Sequence, residues 1–224
     1  MAAAVGHGFA EEVFATAEAA RRHEALLAGV DVVPVTDSAA RALSETVTPS
    51  GLVAVCRVPA TDLRAILAGR PALLAVAVEF AEPGNAGTLI RTAHAMGAAA
   101  VIFAGRGVDP YNGKCVRSSA GSIFAVPVVV EPDPVDLLGR LRSCGLLSLA
   151  ATIDGELSLD DADSVLGRPA AWVFGTEAHG LPPALSALAD HRVVIPMPGT
   201  AESLNVAAAA AICLYQSARA RRNS

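Results

Sequence analysis

The chain of 224 residues is short of several residue types, and each shortage excludes a class of protein. Only 4% of its residues are aromatic, so the 53% that are hydrophobic are mainly alanine, valine and leucine, which suit close-packed helices and buried strands. The longest apolar run, residues 206–215, is too short to cross a bilayer. No segment has the pattern of a signal peptide, and we therefore expect a cytoplasmic protein.

Positive charge is also scarce. The chain has 17 basic residues against 22 acidic ones, a net charge of −5, and Lys114 is its only lysine. This balance argues against a protein that holds nucleic acid through a bulk positive field.

Cysteines are few and scattered. Cys56, Cys115, Cys144 and Cys213 form no C-x-x-C pair, so we expect reduced thiols in the core and neither a disulfide framework nor a zinc site. No residue pattern calls for a metal.

The order of segments indicates an α/β protein. Short strand-like runs alternate with helical patterns, as expected for a mainly parallel sheet. The strand candidates of the larger part are residues 73–80, 99–104, 124–130, 146–153, 171–174 and 192–195. The succession Gly69, Arg70, Pro71 is the best boundary, which predicts an N-terminal domain of residues 1–70 and a second domain of residues 71–224. A final helix is predicted over residues 204–222, with Ser203 as its N-cap.

Three loops follow strand candidates and open helical patterns. They are residues 82–87, residues 175–180 and residues 196–205, and each is rich in glycine or polar side chains. Ligands of open α/β sheets bind beyond the carboxyl ends of the strands, so three such loops predict one shared site.

Familiar phosphate-binding loops do not fit these segments. Residues 84–87 lack the G-x-G-x-x-G spacing, and residues 107–114 have one residue too many for a P-loop, with Cys115 where a P-loop has Ser or Thr. A G-x-S-x-G nucleophile elbow is also absent from the sequence.

The three loops, in this order, resemble the signature motifs of the SpoU/TrmH-type RNA 2′-O-ribose methyltransferases of the SPOUT superfamily. The matching residues are Asn85-x-Gly87-x-x-x-Arg91, then Phe174-Gly175-x-Glu177-x-x-Gly180-Leu181, then Ile195-Pro196-Met197-x-Gly199-x-x-x-Ser203-Leu204-Asn205-Val206. Residues 108–124 are similar to the branch that modifies rRNA, especially the thiostrepton-resistance-type 23S rRNA methyltransferases.

The resemblance implies a fold and a domain arrangement. It implies a parallel-sheet SPOUT methyltransferase domain with a trefoil knot, preceded by a small α/β domain that binds the RNA substrate. Members of this group usually begin with a basic stretch and a Phe-x-x-Glu-Gly element, and this chain starts downstream of that element. The front of the N-terminal domain is therefore expected to be missing. The second motif also has Thr176 where asparagine is common.

The resemblance further implies S-adenosyl-L-methionine as cofactor, held largely by backbone groups inside the knot. The implied cofactor-binding residues are Thr152, Ile153, Gly175, Glu177, Gly180, Ile195, Met197, Ser203, Leu204 and Asn205. The implied partners are RNA, most directly rRNA, and a second copy of the chain, with the final helix and the first-motif helix at the dimer interface.

The implied catalytic residues are Arg91, Asn85, Glu177, Ser203 and Asn205. Arg91 corresponds to the essential arginine of the family, which either clamps a phosphate or acts as the base. A guanidinium has a pKa above about 12, so acting as a base would require a costly deprotonation, which a phosphate clamp does not require. Asn85 and Asn205 would orient Arg91 or the ribose. The RNA-binding residues we expect are Arg91, Arg106, Lys114 and Arg117.

Simpler roles compete with these. Asn85 could merely cap a helix that starts at Ala86, and Ser203 could cap the final helix. His94 and His179 have no partner at ligand spacing and are interpreted as structural. At the level of function, tRNA remains an alternative substrate, and a non-catalytic RNA-binding or ribosome-assembly protein remains an alternative class.

Overall fold

The structure is a computed structural model that describes residues 1–44, 46–176 and 178–222. The chain divides into two compact units, Met1–Ala60 and Thr61–Ser224. No helix among the described residues is long and apolar enough to cross a membrane. All four cysteines are unpaired thiols, but the predicted core position holds only for the buried Cys115 and Cys213, because Cys56 is half-buried and Cys144 is exposed.

The first unit is a three-stranded sheet with four short helices. Its strands are β1 Ala10–Ala15, β2 Val32–Pro34 and β3 Leu52–Cys56, and its helices are α1 Ala2–Gly6, α2 Ala17–Arg22, α3 Glu24–Leu27 and α4 Asp37–Leu43. The strand order is β2-β1-β3, with β2 parallel and β3 antiparallel to the central strand. The hydroxyl of Thr16 caps α2 by accepting from the Ala19 amide at 3.2 Å.

The second unit is built on a seven-stranded sheet. Its strands are β4 Leu73–Val78, β5 Ala100–Ala104, β6 Val128–Glu131, β7 Leu147–Ala151, β8 Leu157–Ser158, β9 Ala170–Phe174 and β10 His191–Val194. The strand order is β6-β5-β4-β9-β7-β10-β8, and all six pairings are parallel. Every residue of β4, β5 and β9 is buried, as their unbroken apolar runs predict for strands covered on both faces.

Helices cover both faces of this sheet. They are α5 Leu63–Ala68, α6 Pro83–Ala95, α7 Gly113–Ser118, α8 Pro134–Ser143, α9 Asp163–Leu166, α10 Pro183–Ser186 and α11 Val206–Arg222, with short 3₁₀ turns at Ser122–Phe124 and Leu159–Asp161. One buried cluster joins the sheet to α6 and α11, and the other joins it to α5, α8 and α10. Trp172 is fully buried in the first cluster, where its indole N–H donates to the Ser217 hydroxyl of α11 at 2.8 Å.

The structure differs from the sequence predictions at several boundaries. The units divide at Ala60 and Thr61, ten residues before the predicted boundary, because Leu63 and Leu67 of α5 are buried in the second core cluster. The predicted strand 124–130 forms only from Val128 onward, after the 3₁₀ turn.

The predicted cap of the final helix is also wrong. The helix begins at Val206, and its capping side chain is Asn205, whose Oδ1 accepts from the amides of Ala207 and Ala208 at 3.0 and 3.2 Å. Ser203 lies in the preceding loop and is exposed.

Candidate active site

A cleft of about 510 Å³ lies at the carboxyl ends of β7, β9 and β10. The segments that form most of its wall are residues 151–154, 174–176, 178–181, 192–195 and 202–204. Parallel strands end at the same edge of a sheet, so the loops that follow them converge there. The cleft has the volume expected of a small-molecule site.

Most of the predicted cofactor-binding residues line this one cleft. They are Thr152, Ile153, Gly175, Gly180, Ile195, Met197, Ser203 and Leu204. Asn205 is adjacent in sequence but is not among the described lining residues. Glu177 lies outside the described residues, so its predicted role stays a prediction.

The loop after β9 folds back tightly on itself. Thr176 and Gly180 exchange two backbone hydrogen bonds, of 3.1 and 3.0 Å. A Cβ on Gly175 would lie 2.1 Å from the Gly180 carbonyl carbon and 2.2 Å from the Leu181 nitrogen, so only glycine fits at this position. The wall of the cleft is therefore backbone at this point, which explains why the second motif contains glycines.

Thr152, one of the residues that line the cleft, has an unsatisfied polar atom. Its hydroxyl oxygen is buried and has no hydrogen-bond partner among the described residues. A buried hydroxyl without a partner is costly, and a ligand that bonds it would remove that cost.

Charged residues at the rim are not predicted from the sequence. The Arg192 guanidinium Nε donates to the Glu156 carboxylate at 2.9 Å and lies 3.4 Å, through Nη1, from Asp154. The backbone N–H of Arg192 donates to Glu156 as well, and this bond above all lowers the pKa of Glu156. Arg192 and Asp154 line the cleft, but nothing in their local sequence distinguishes them from ordinary surface charges.

From the sequence we interpret His179 as structural, but it lies in the wall of the cleft. It is exposed, and its backbone N–H donates to the Thr176 hydroxyl at 3.2 Å. Its place in the second motif is a sequence signal for a functional role, but a lone histidine without a partner at ligand spacing is weak evidence for such a role.

The first and third motifs meet through two asparagines. The Asn205 side-chain amide donates to the Asn85 side-chain oxygen at 3.1 Å, across 120 positions of sequence. Asn85 does not cap α6, because that helix begins at Pro83 and its N-cap is Glu82, which accepts from the Gly84 amide at 3.1 Å. The capping interpretation of Asn85 is therefore wrong, and its side chain is aligned by Asn205.

Arg91 lies two turns further along α6 and is exposed. No hydrogen bond or ion pair joins its guanidinium to another described residue, and it is not among the described residues that line the cleft. A fixed cation on a buried helix, with its fork of donors open to solvent, can bind a phosphate.

The other predicted RNA contacts are placed around α6 and α7. Arg106 and Arg117 are exposed, and α7 packs on α6, where a Cβ on Gly87 would clash with the Ser118 side chain. The Lys114 ammonium is 2.5 Å from the Glu82 carboxylate, and this hydrogen bond above all lowers the pKa of Glu82. Lys114 is therefore already paired, and an RNA phosphate would have to compete with Glu82 for it.

The same residues match those of known proteins. The model of the family described as "SpoU rRNA Methylase family" matches residues 72–215, which contain all three motifs.

Two curated relatives share this region and part of the N-terminal unit. The chain is 38% identical over 176 residues to the 23S rRNA (uridine(2479)-2′-O)-methyltransferase of Streptomyces viridochromogenes, and the match covers 77% of this chain and 61% of that protein. It is 35% identical over 187 residues to the 23S rRNA (guanosine(2553)-2′-O)-methyltransferase RlmP of Bacillus subtilis strain 168, and this match covers 84% of this chain and 72% of that protein.

A solved structure matches nearly the whole chain. The SpoU methyltransferase AviRb from Streptomyces viridochromogenes, in complex with the cofactor AdoMet, superposes with a TM-score of 0.86 at 32% identity, over 99% of this chain and 87% of that one. The seven-stranded parallel sheet described above is thus shared with a methyltransferase.

Proposed function

We propose, because this chain belongs to the SpoU rRNA methylase family, that it transfers a methyl group from S-adenosyl-L-methionine to a ribose 2′-hydroxyl of 23S rRNA. The observation that carries the proposal is the convergence of the three motifs. The second and third motifs form one cleft, and the Asn205–Asn85 hydrogen bond ties the third motif to the helix that bears Arg91.

The residues of the cleft fit the cofactor. Gly175, Gly180, Ile195 and Leu204 offer backbone groups and apolar surface for the adenine, and the unpartnered hydroxyl of Thr152 offers a donor or acceptor. The charged pair of Arg192 and Asp154 at the rim suits the polar tail of the molecule. When bound, S-adenosylmethionine supplies an electrophilic methyl group on its sulfonium.

The role of this chain is to place the ribose hydroxyl in line with that methyl group. Arg91 clamps the phosphate beside the target ribose, since its guanidinium is a planar fork of donors and is free of intramolecular partners among the described residues. Asn85 and Asn205 hold each other and orient the ribose or Arg91. Ser203, exposed at the cleft, contacts the substrate. Such positioning converts a bimolecular reaction into an oriented one.

We propose that RNA binding relies on a few local cations and not on the whole-molecule field. Arg91, Arg106 and Arg117 are exposed on or near α6 and α7, and Lys114 is exposed on α7, where a phosphate would have to displace Glu82. Phosphate contacts of this kind fix orientation without requiring a basic protein. Binding should accordingly be weak and sensitive to salt.

The N-terminal unit is proposed to be the substrate-binding domain of the enzyme. Its support is the match of the AviRb structure over 99% of this chain, which includes that unit.

We also propose that the second unit contains the trefoil knot of the SPOUT superfamily. A close backbone approach between distant segments supports it. A Cβ on Gly155 would lie 2.7 Å from the backbone of Arg192 and Val193, so the chain after β7 lies directly on β10. An experimental backbone trace that closes to an unknotted curve would contradict this proposal.

A homodimer is proposed, with α11 and α6 at its interface. Residues 208, 212 and 215 of α11 are exposed at helical spacing, and Ile212 and Tyr215 are 38% and 50% exposed. A stripe of exposed apolar side chains is what an interface requires. Light scattering at micromolar concentration should give the mass of two chains, and an Ile212→Glu variant should give the mass of one. We place this enzyme in the cytoplasm, where rRNA is available.

The experiment that tests the function uses Arg91. An Arg91→Ala variant should bind S-adenosylmethionine with unchanged affinity in calorimetry, because Arg91 does not contact the described lining of the cleft, yet transfer no methyl group to rRNA. An Arg91→Lys variant should recover little, since a lysine has no bidentate fork. Undetectable cofactor binding by the parent protein would overturn the proposal. Methylation of tRNA alone would favour the tRNA alternative, and cofactor binding without transfer to any RNA would favour a non-catalytic protein.

A further inference from the structure

A second cavity, of about 230 Å³, lies at the carboxyl ends of β4 and β5 and shares no lining residue with the cofactor cleft. We call it the Glu79 pocket, and its principal lining residues are Ala77, Glu79, Phe80, Phe103, Gly105 and Val130. None of the roles proposed above uses it.

The floor of the Glu79 pocket is apolar. Phe80 and Phe103 are buried, at 1% and 6% exposure, and Val130 is 58% exposed. The two buried rings offer almost no accessible face, so Val130 supplies the exposed apolar surface against which a flat ring can pack.

The walls of this pocket are fixed by backbone contacts. The Val108 amide donates to the Phe80 carbonyl at 2.7 Å, and the Gly105 amide donates to the Glu131 carbonyl at 2.9 Å. A Cβ on Gly107 would lie 2.7 Å from the Phe80 carbonyl oxygen, so the loop after β5 lies directly on the chain after β4. The pocket is therefore preformed, which lowers the entropic cost of binding.

One acceptor group faces this pocket without a partner among the described residues. Glu79 has a left-handed backbone with φ 54°, and its side chain lies across Gly105, with Oε1 3.3 Å from the position of a Cβ there. Its carboxylate forms no hydrogen bond or ion pair with another described residue. The other carboxylate, that of Asp109, already accepts from the Tyr111 amide at 2.9 Å.

We propose that the Glu79 pocket binds a guanine base of the RNA substrate, with the Glu79 carboxylate accepting from the ring N1–H and the exocyclic N2–H₂ of guanine. The proposal rests on the proposed function, because it supposes an RNA substrate. Guanine is the one common base that offers two adjacent donors on the edge a carboxylate can reach. Adenine and cytosine offer one amino group beside a ring acceptor, and uracil offers one N–H between two carbonyl oxygens that a carboxylate repels.

The neighbourhood of this pocket supports a nucleotide. Arg106 is exposed between the lining residues Gly105 and Gly107, where it can meet the phosphate of the bound nucleotide. The chain that leaves the pocket at Phe80 enters α6 three residues later, so the pocket is connected rigidly to the helix of Asn85 and Arg91. A base held here would fix the register of the RNA relative to the transferred methyl group.

The test is a titration of the full chain, saturated with S-adenosylhomocysteine so that the cofactor cleft is filled, with the 5′-monophosphates of the four bases. Ligand-observed NMR should show guanosine monophosphate binding about tenfold more tightly than uridine monophosphate, the discrimination expected of a bidentate pair. In Glu79→Gln the amide N–H₂ opposes one guanine donor, so the preference should fall to about twofold or less. Val130→Trp, which places a larger side chain at the open side of the pocket, should abolish nucleotide binding.

Glu24→Gln, an equal loss of charge on an exposed residue of α3, is the matched control and should keep the preference of the parent protein. Equal binding of all four nucleotides, or a preference that survives Glu79→Gln in a folded protein, would overturn the proposal. Methyl transfer to 23S rRNA is measured on the same preparations. Methyl transfer without a base preference would refute the base-binding role of the Glu79 pocket but not the proposed function. A Glu79-dependent base preference without methyl transfer would refute the proposed function but not the base-binding role of the pocket.

Discussion

At the scale of single residues, Asn205 has two separable roles. Its oxygen caps α11, and its amide N–H₂ donates to Asn85. Asn205→Asp keeps the capping oxygen and removes the donor, so its free energy of unfolding should stay within about 0.5 kcal/mol of the parent. Methyl transfer should fall by about 10- to 100-fold, because the first motif loses its alignment.

Asn205→Ala removes both roles and should lose about 1 kcal/mol of stability in addition. Urea unfolding and rRNA methylation rates measured on the two variants separate the roles. If the Asn205→Asp variant transfers methyl groups as fast as the parent protein, the contact with Asn85 is irrelevant to the reaction.

Thr152 gives a second prediction at this scale. Thr152→Val removes a buried hydroxyl that has no partner among the described residues, so the cofactor-free protein should gain about 1 kcal/mol of stability. The affinity for S-adenosylmethionine should fall by roughly tenfold, because the cofactor loses a hydrogen bond. Calorimetry and urea unfolding measure the two effects, and Thr152→Ser should restore both values. A variant that is less stable without cofactor and binds it normally would exclude the role given to this hydroxyl.

At the scale of elements, the loop after β9 depends on one glycine. Gly175→Ala places a Cβ 2.1 Å from the Gly180 backbone, so the loop must open, and we expect a loss of about 3 kcal/mol or more. Gly199→Ala is the matched control in the third motif, since its Cβ would meet no atom within 4 Å, and its effect should be under about 0.5 kcal/mol. Denaturant midpoints compare the pair, and similar midpoints would contradict the close packing of this loop.

Asp190 forms hydrogen bonds to both β7 and α8 and makes the stability of the fold depend on pH. Its burial opposes ionisation, but bonds from the Ser148 hydroxyl and backbone N–H, together with the Arg142 guanidinium, outweigh burial and lower the pKa of Asp190. A lowered folded-state pKa contributes stability above the unfolded value of about 3.9, and this contribution is lost as the pH falls through the folded-state pKa.

Asp190→Asn should therefore flatten the fall in stability as the pH drops from about 5 through the unfolded-state pKa of about 3.9 and below it. The measurement is the urea midpoint of parent and variant across that range. Asp160→Asn, an exposed carboxylate outside this network, is the control. Parallel pH curves for the Asp190 variant and the parent would contradict the assignment.

Elements are easier to predict from sequence than their ends. The continuous apolar runs of β4, β5 and β9 specify buried parallel strands, and helical spacing specifies α6, α8 and α11. The start of the predicted 124–130 strand is wrong because the 3₁₀ turn at Ser122–Phe124 is as apolar as a strand. The two residues of β8 carry no pattern long enough to detect.

At the scale of the whole molecule, the motifs predict which loops converge but not the side-chain contacts that form between them. Loop order and glycine content indicate one cleft, and the family resemblance, confirmed by the match over residues 72–215, names its residues. The Asn85–Asn205 bond spans 120 positions, and the rim pair of Arg192 and Asp154 forms only when β10 lies beside β7, so neither is visible in local sequence. The negative net charge likewise says little about RNA binding, because the contacts we propose involve only a few exposed arginines.

Direct labelling of the RNA shows whether the assembled site methylates a ribose. Purified protein is incubated with 23S rRNA and S-adenosylmethionine carrying a labelled methyl group, and the modified nucleotide is mapped by primer extension at limiting nucleotide concentration. We predict label on the 2′-oxygen of one ribose, and none in the Arg91→Ala variant although that variant still binds the cofactor. Label on a base, or cofactor binding by the parent protein with no ribose methylated in 23S rRNA, would contradict this prediction.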